Sequence, residues 1–149
     1  MSPTTIETYT ALVDKAIDDR QESLNTISQE IWKNPELNFN ETKAHNLLCD
    51  FLQQEGFDVS RSTPLETSFI ARYKSAVAGS VGNSPLKVGV LCEYDALPGI
   101  GHACGHNLIA EAGIGTALGE FGQFHLFYFF RVFIFWDNTV LNVLYICID

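Results

Sequence analysis

The sequence predicts an α/β domain followed by an apolar tail. Three observations predict it. Apolar residues recur at helical spacing through roughly the first third, short β-rich runs follow between residues 57 and 92, and the last thirty positions lose nearly all charge. At 149 residues and 46% hydrophobic, the chain has the length of one ordinary domain and enough apolar matter for a core.

The helical signal begins at Ile6, Tyr9, Val13, Ala16 and Ile17 and continues through Leu24, Ile27 and Ile31, which predicts one long helix. Asn34-Pro35 ends it, because a residue before proline is pushed out of the helical region. Thr42 is placed to cap a second helix with Ala44, Leu47, Leu48, Phe51 and Leu52 as its buried stripe, and Glu55-Gly56 stops it. Phe57–Val59 and Ser68–Tyr73 read as strands, and the small residues from Ala76 to Pro85 as a connection. Lys87–Cys92 has the short apolar character of a central strand covered on both faces. Asn107 is placed to cap a following helix that runs to about Leu118. Cys49 and Cys92 read as small buried hydrophobes, His45 as a surface residue and Trp32 as a packing residue.

Nine basic against 18 acidic residues give a net charge of −9, which repels phosphate backbones and excludes nucleic acid as the expected partner. Four cysteines without framework spacing do not make a disulfide scaffold. The polar opening MSPTTIETYT has no apolar segment of secretory type, and the expected location is cytoplasmic.

Chemistry concentrates in His102-Ala-Cys104-Gly-His106. If that segment is extended, residues two apart face the same side, so all three side chains address one cavity. Thiolate with imidazole favours zinc among common divalent ions. Glu93 and Asp95, just upstream in the loop after the apolar strand, offer oxygen ligands or acceptors that orient an imidazole. The rival reading is a cysteine nucleophile with a histidine base, which leaves the second histidine and the acidic loop without a role.

The run from Glu93 to Ala110 (EYDALPGIGHACGHNLIA) resembles the amino-terminal metal motif of metallopeptidase family M-twenty. Ile31–Glu41 resembles that family's first-helix signature and Asp50–Phe57 its second, and the likeness covers roughly Ile6 to Leu118. Within the family it is similar to the dipeptidase branch near the aminobenzoyl-glutamate hydrolases. The resemblance implies an incomplete zinc-peptidase-like catalytic domain, a mixed sheet flanked by helices, that hydrolyses amide bonds in small dipeptides or N-acyl amino acids. Dipeptides ending in a basic residue are the implied substrates of this branch. It implies Cys104 and His106 as metal ligands and Asp95 as the carboxylate supporting the site. Glu93 and His102 stand as further ligands or supporting groups, and Asn107 replaces the aspartate of the amidohydrolase branch. Zinc is the implied ion, with manganese or cobalt as alternatives, and full-length relatives are implied to be homodimers.

In that family a general-base glutamate follows in a second acidic segment, and further ligands come later still. Here the expected continuation gives way, after residue 119, to a stretch holding seven of the chain's 11 phenylalanines, with only Glu120, Arg131, Asp137 and Asp149 charged. Residues 1–119 are therefore read as the amino-terminal part of a catalytic domain and 120–149 as a tail outside the family pattern. The tail reads as a strand pair, as a membrane segment interrupted by Arg131 and Asp137, or as unselected sequence, the last being preferred. The expected activity is that of a truncated hydrolase, inactive alone and without a general base in this chain. The alternative is a non-catalytic product that associates with membranes or with a full-length relative.

Overall fold

A computed structural model describes residues 3–73, 88–123 and 143–148. Among these residues it holds four α-helices, α1 (Pro3–Asp18), α2 (Gln21–Lys33), α3 (Thr42–Gln54) and α4 (His106–Gln123). Four strands, β1 (Asp58–Arg61), β2 (Phe69–Tyr73), β3 (Val88–Glu93) and β4 (Val143–Ile148), form one sheet in the order β1-β2-β4-β3. β1 is antiparallel to β2, while β4 runs parallel to β2 and antiparallel to β3. The fold is thus mixed α/β, as the alternation of periods predicts.

The long first helix is two helices. Arg20 leaves helical geometry at φ −116°, ψ 7°. Its guanidinium donates to the Ala16 carbonyl at 3.2 Å and to the Glu55 carboxylate at 2.8 Å, so the break satisfies an otherwise orphaned carbonyl and ties the turn to the end of α3. On α2 the buried stripe is Leu24, Ile27, Ser28 and Ile31. Trp32 lies one residue off that stripe and is 57% exposed, so it is not the packing residue that periodicity suggested.

Thr42 opens α3 without capping it. The cap comes from farther away, where the Glu36 carboxylate accepts from the Lys43 and Ala44 backbone N–H groups at 2.9–3.0 Å. Gly56, at φ 92°, stops the chain from continuing as helix. The buried face of α3 carries Ala44, Leu48, Cys49 and Leu52 into a core shared with Phe57, Phe69 and Ala71. His45 is inside, not on the surface: its ring meets Phe69 edge-on at 5.7 Å, and burial lowers its pKa.

β3 is an edge strand of the described sheet and not a central one. Leu91 is 58% exposed while Cys92 is buried against α4, so the two faces differ. α4 lies between β3 on one side and α1 and α2 on the other. Its approach to β3 depends on Gly113, where a Cβ would stand 1.7 Å from Cys92 Sγ. The connection read at Ala76–Pro85 and most of the Phe-rich stretch lie outside the described residues. Among the described residues, no helix is long and apolar enough to cross a membrane.

Candidate metal centre

The carboxyl end of β3 delivers Glu93, Tyr94 and Asp95 into a loop fixed from both sides. The Ala96 N–H donates to the Glu36 carbonyl at 2.8 Å, and the Leu97 N–H donates to the Gly101 carbonyl at 2.9 Å. These bonds bring the segment before α3 beside the segment before α4.

The motif His102–His106 is not extended. His102–Cys104 forms a single 3₁₀ turn, Gly105 adopts the left-handed conformation at φ 84°, and His106 is the first residue of α4. Only glycine takes that φ without a steric penalty, so Gly105 is what reverses the chain between turn and helix. The same-side alternation of an extended segment therefore does not apply here.

His106 and Asp95 form the best-defined pair. His106 Nδ1 stands 2.8 Å from Asp95 Oδ1 and 3.0 Å from the Asp95 carbonyl oxygen. A carbonyl only accepts, so the proton sits on Nδ1, and in the neutral ring Nε2 keeps its lone pair. That lone pair faces the Glu93 carboxylate, with Nε2 3.5 Å from Oε1, too long for a good hydrogen bond. Two ligand atoms of a tetrahedral zinc site lie about 3.3 Å apart when each is about 2.05 Å from the ion, so this pair has the spacing of one ligand edge. Cys104 Sγ faces the Asp95 carbonyl at 3.8 Å, which places thiol and imidazole around one oxygen atom. The donor set of imidazole, thiol and carboxylate fits a divalent ion. Among the described residues, no three such side chains already converge as a complete metal cluster.

His102 lies near enough to His106 and Asp95 to feel their charges but is hydrogen-bonded to neither. It is 6% exposed, and neither ring nitrogen makes a hydrogen bond of normal geometry. Burial lowers its pKa, and nearby His106 lowers it further, against the opposing pull of Asp95 and the Ile31 backbone.

Beneath the loop lies a polar layer that sequence reasoning missed. Glu41 is fully buried and accepts from Thr67 Oγ1 at 2.8 Å, while the Tyr94 hydroxyl donates to the Thr67 carbonyl. Burial raises the pKa of Glu41 and raises that of Tyr94 well above the phenolic range. Strand alternation contains the signal for Tyr94, because Glu93 and Asp95 must share a face opposite to it. Nothing in the local pattern marks Glu41. Asn107, expected as a cap, is instead buried and bonded to Ser28 of α2.

No family model matches the chain. Individual proteins do. The chain is 46% identical over 114 residues to Xaa-Arg dipeptidase of Homo sapiens, covering 72% of this chain and 26% of that protein. It is 28% identical over 123 residues to a chain of the p-aminobenzoyl-glutamate hydrolase of Escherichia coli, covering 71% of this chain and 24% of that protein. These relatives match the amino-terminal part of the chain. Those relatives are members of metallopeptidase family M-twenty, and that part of the chain is homologous to them. N-acetylcysteine deacetylase of Bacillus subtilis is a further relative, 27% identical over 121 residues, covering 72% of this chain and 30% of that protein. The chain spans about a quarter of the length of Xaa-Arg dipeptidase and of the hydrolase chain. Metal dependence is general among M-twenty members.

Proposed function

We propose that residues 1–119 form the amino-terminal part of a metal-dependent hydrolase of amide bonds in small dipeptides or N-acyl amino acids. Cys104 and His106 hold the ion, Asp95 orients His106, and Glu93 is the third donor, with zinc as the preferred ion. The arrangement that carries this reading is the His106 ring, pinned through Nδ1 to Asp95 with Nε2 free and 3.5 Å from Glu93 Oε1. Carboxylate–imidazole pairs of this kind fix the tautomer of ligating histidines and raise their basicity. A bound divalent ion would supply Lewis acidity toward an amide carbonyl and lower the pKa of water to about 7.

The chain's own residues do the positioning. Asp95 holds the proton on Nδ1 and keeps the lone pair outward. Burial of Asp95 and the half-buried setting of His106 limit water around the pair, which strengthens their interaction. No second acidic segment of the family kind stands in residues 119–149, so a proton shuttle to the departing amine has to come from elsewhere. We infer further that residues 1–149 bind zinc without turning over dipeptides by themselves, that 120–149 lies outside the catalytic pattern, and that the protein is cytoplasmic.

Zinc titration of purified chain by calorimetry, alongside cleavage of dipeptides ending in arginine or lysine, tests this. One zinc per chain, lost in the Cys104→Ser, His106→Ala double variant, is the expected result. Zinc binding that survives the double variant, or no binding at all, rejects it.

A further inference from the structure

The first turn of α4 carries His106, and a buried polar tie holds that turn against α2. Asn107, 5% exposed, directs its amide nitrogen at Ser28 of α2, 3.1 Å from Oγ and 3.5 Å from the backbone carbonyl. Ser28 is itself 1% exposed and 79 residues distant in sequence. The two amide protons of Nδ2 match these two acceptors, one of them a carbonyl that cannot donate in return. A carboxylate at 107 would set its lone pairs against that carbonyl in a dry site, so the surroundings of Ser28 select an amide. Such a tie is directional, and breaking it strands a buried polar group.

We infer that Ser28 and Asn107 act together as a positioning pair that sets the register of α4 against α2 and thereby holds His106 Nδ1 on Asp95. His106 and Asn107 are adjacent at the start of one helix, so displacement of Asn107 carries the imidazole with it. Its Nδ1 contacts, 2.8 and 3.0 Å, leave little room before the bond to Asp95 is lost. The importance of that bond for metal binding rests on the function proposed above, but its existence does not.

Long-range ¹H–¹⁵N spectroscopy of the metal-free full chain separates the two questions, because it reads which ring nitrogen of His106 is protonated. The wild-type chain is expected to show a single Nδ1–H tautomer. Asn107→Leu, close in volume but without polar atoms, and Ser28→Ala are each expected to replace it with an averaged pair, while Ser28→Thr, which keeps the hydroxyl, retains it. In the same variants, chelator competition is expected to show zinc affinity about tenfold weaker for Asn107→Leu and Ser28→Ala. A wild-type-like Nδ1–H signal in both Asn107→Leu and Ser28→Ala overturns the inference, whatever happens to their melting temperatures. So does a wild-type ring without the Nδ1 proton. Altered tautomers in a chain that never binds zinc uphold the positioning role and reject the metal reading instead.

Discussion

Gly113 is where α4 comes nearest to the sheet, and Gly113→Ala tests that contact. A Cβ built there stands 1.7 Å from Cys92 Sγ and 3.1 Å from Cys92 Cβ, whereas ordinary contact begins at 3.4 Å. The 3.1 Å approach to the Cys92 Cβ asks for a shift of only a few tenths of an ångström, whereas the overlap with the sulfur is severe. Overpacking of this kind costs about 1–3 kcal/mol, and the severe overlap puts Gly113→Ala at the upper end. Alanine recovers about 1 kcal/mol of helix propensity. The net loss is therefore about 1–2 kcal/mol, or about 2–8 °C in melting temperature for a chain of this size. Urea and thermal melts followed by circular dichroism measure it, and the Cys92→Ala background provides the control. With the sulfur gone, most of the penalty should vanish. A Gly113→Ala chain as stable as wild type, or a penalty unchanged in Cys92→Ala, refutes the close approach of α4 to β3.

Glu41 should make stability fall as pH rises. Its carboxyl is raised above the ordinary 4.5 by burial, so the folded state binds more protons than the unfolded state from that value up to the raised pKa. Urea midpoints of the wild type should drop across that interval relative to Glu41→Gln, and parallel curves would show that Glu41 does not titrate in the folded protein. Cys49 and Cys92, buried with thiols pushed up to about 12, should resist iodoacetamide at pH 8 while half-buried Cys104 reacts first. Peptide mapping by mass spectrometry reads the order, and faster labelling of Cys92 than Cys104 would contradict the burial of β3's inner face. Arg20→Ala should lower stability by about 0.5–1 kcal/mol through its partly buried pair with Glu55, an effect that salt weakens. No salt dependence in the wild-type minus variant difference would assign the loss to packing.

Legibility followed range. The stop at Gly56, the strand around Ser68–Tyr73 and the burial of Cys49 and Cys92 are decided within a few residues, and the pattern of each was sufficient. Where a distant partner decides, sequence reading failed. The break at Arg20 depends on Glu55, the capping of α3 on Glu36, and the burial of His45 on Phe69. β3 reads as central because a run such as Val-Gly-Val-Leu-Cys states how apolar a strand is without stating how many neighbours it has. At the site, the acidic loop and the Cys104–His106 spacing flag residues that do gather around the Asp95 carbonyl. The extended geometry expected for the motif is overridden by the 3₁₀ turn and by Gly105, whose left-handed backbone separates that turn from α4. Ser28 had no signal, since its partner lies 79 positions further along.

The placement of β4 between β2 and β3 has a kinetic consequence. The strand farthest along the chain is inserted between two that precede it, so β2 and β3 cannot complete their ladders until residues 143–148 arrive. Until then the β1–β2 hairpin and β3 each lack a partner on the edge that β4 takes, and long loops must close before those edges are rewarded. Assembly of the described sheet therefore waits on residues 143–148, and until they pair, the open edges of β2 and β3 are available to a neighbouring molecule.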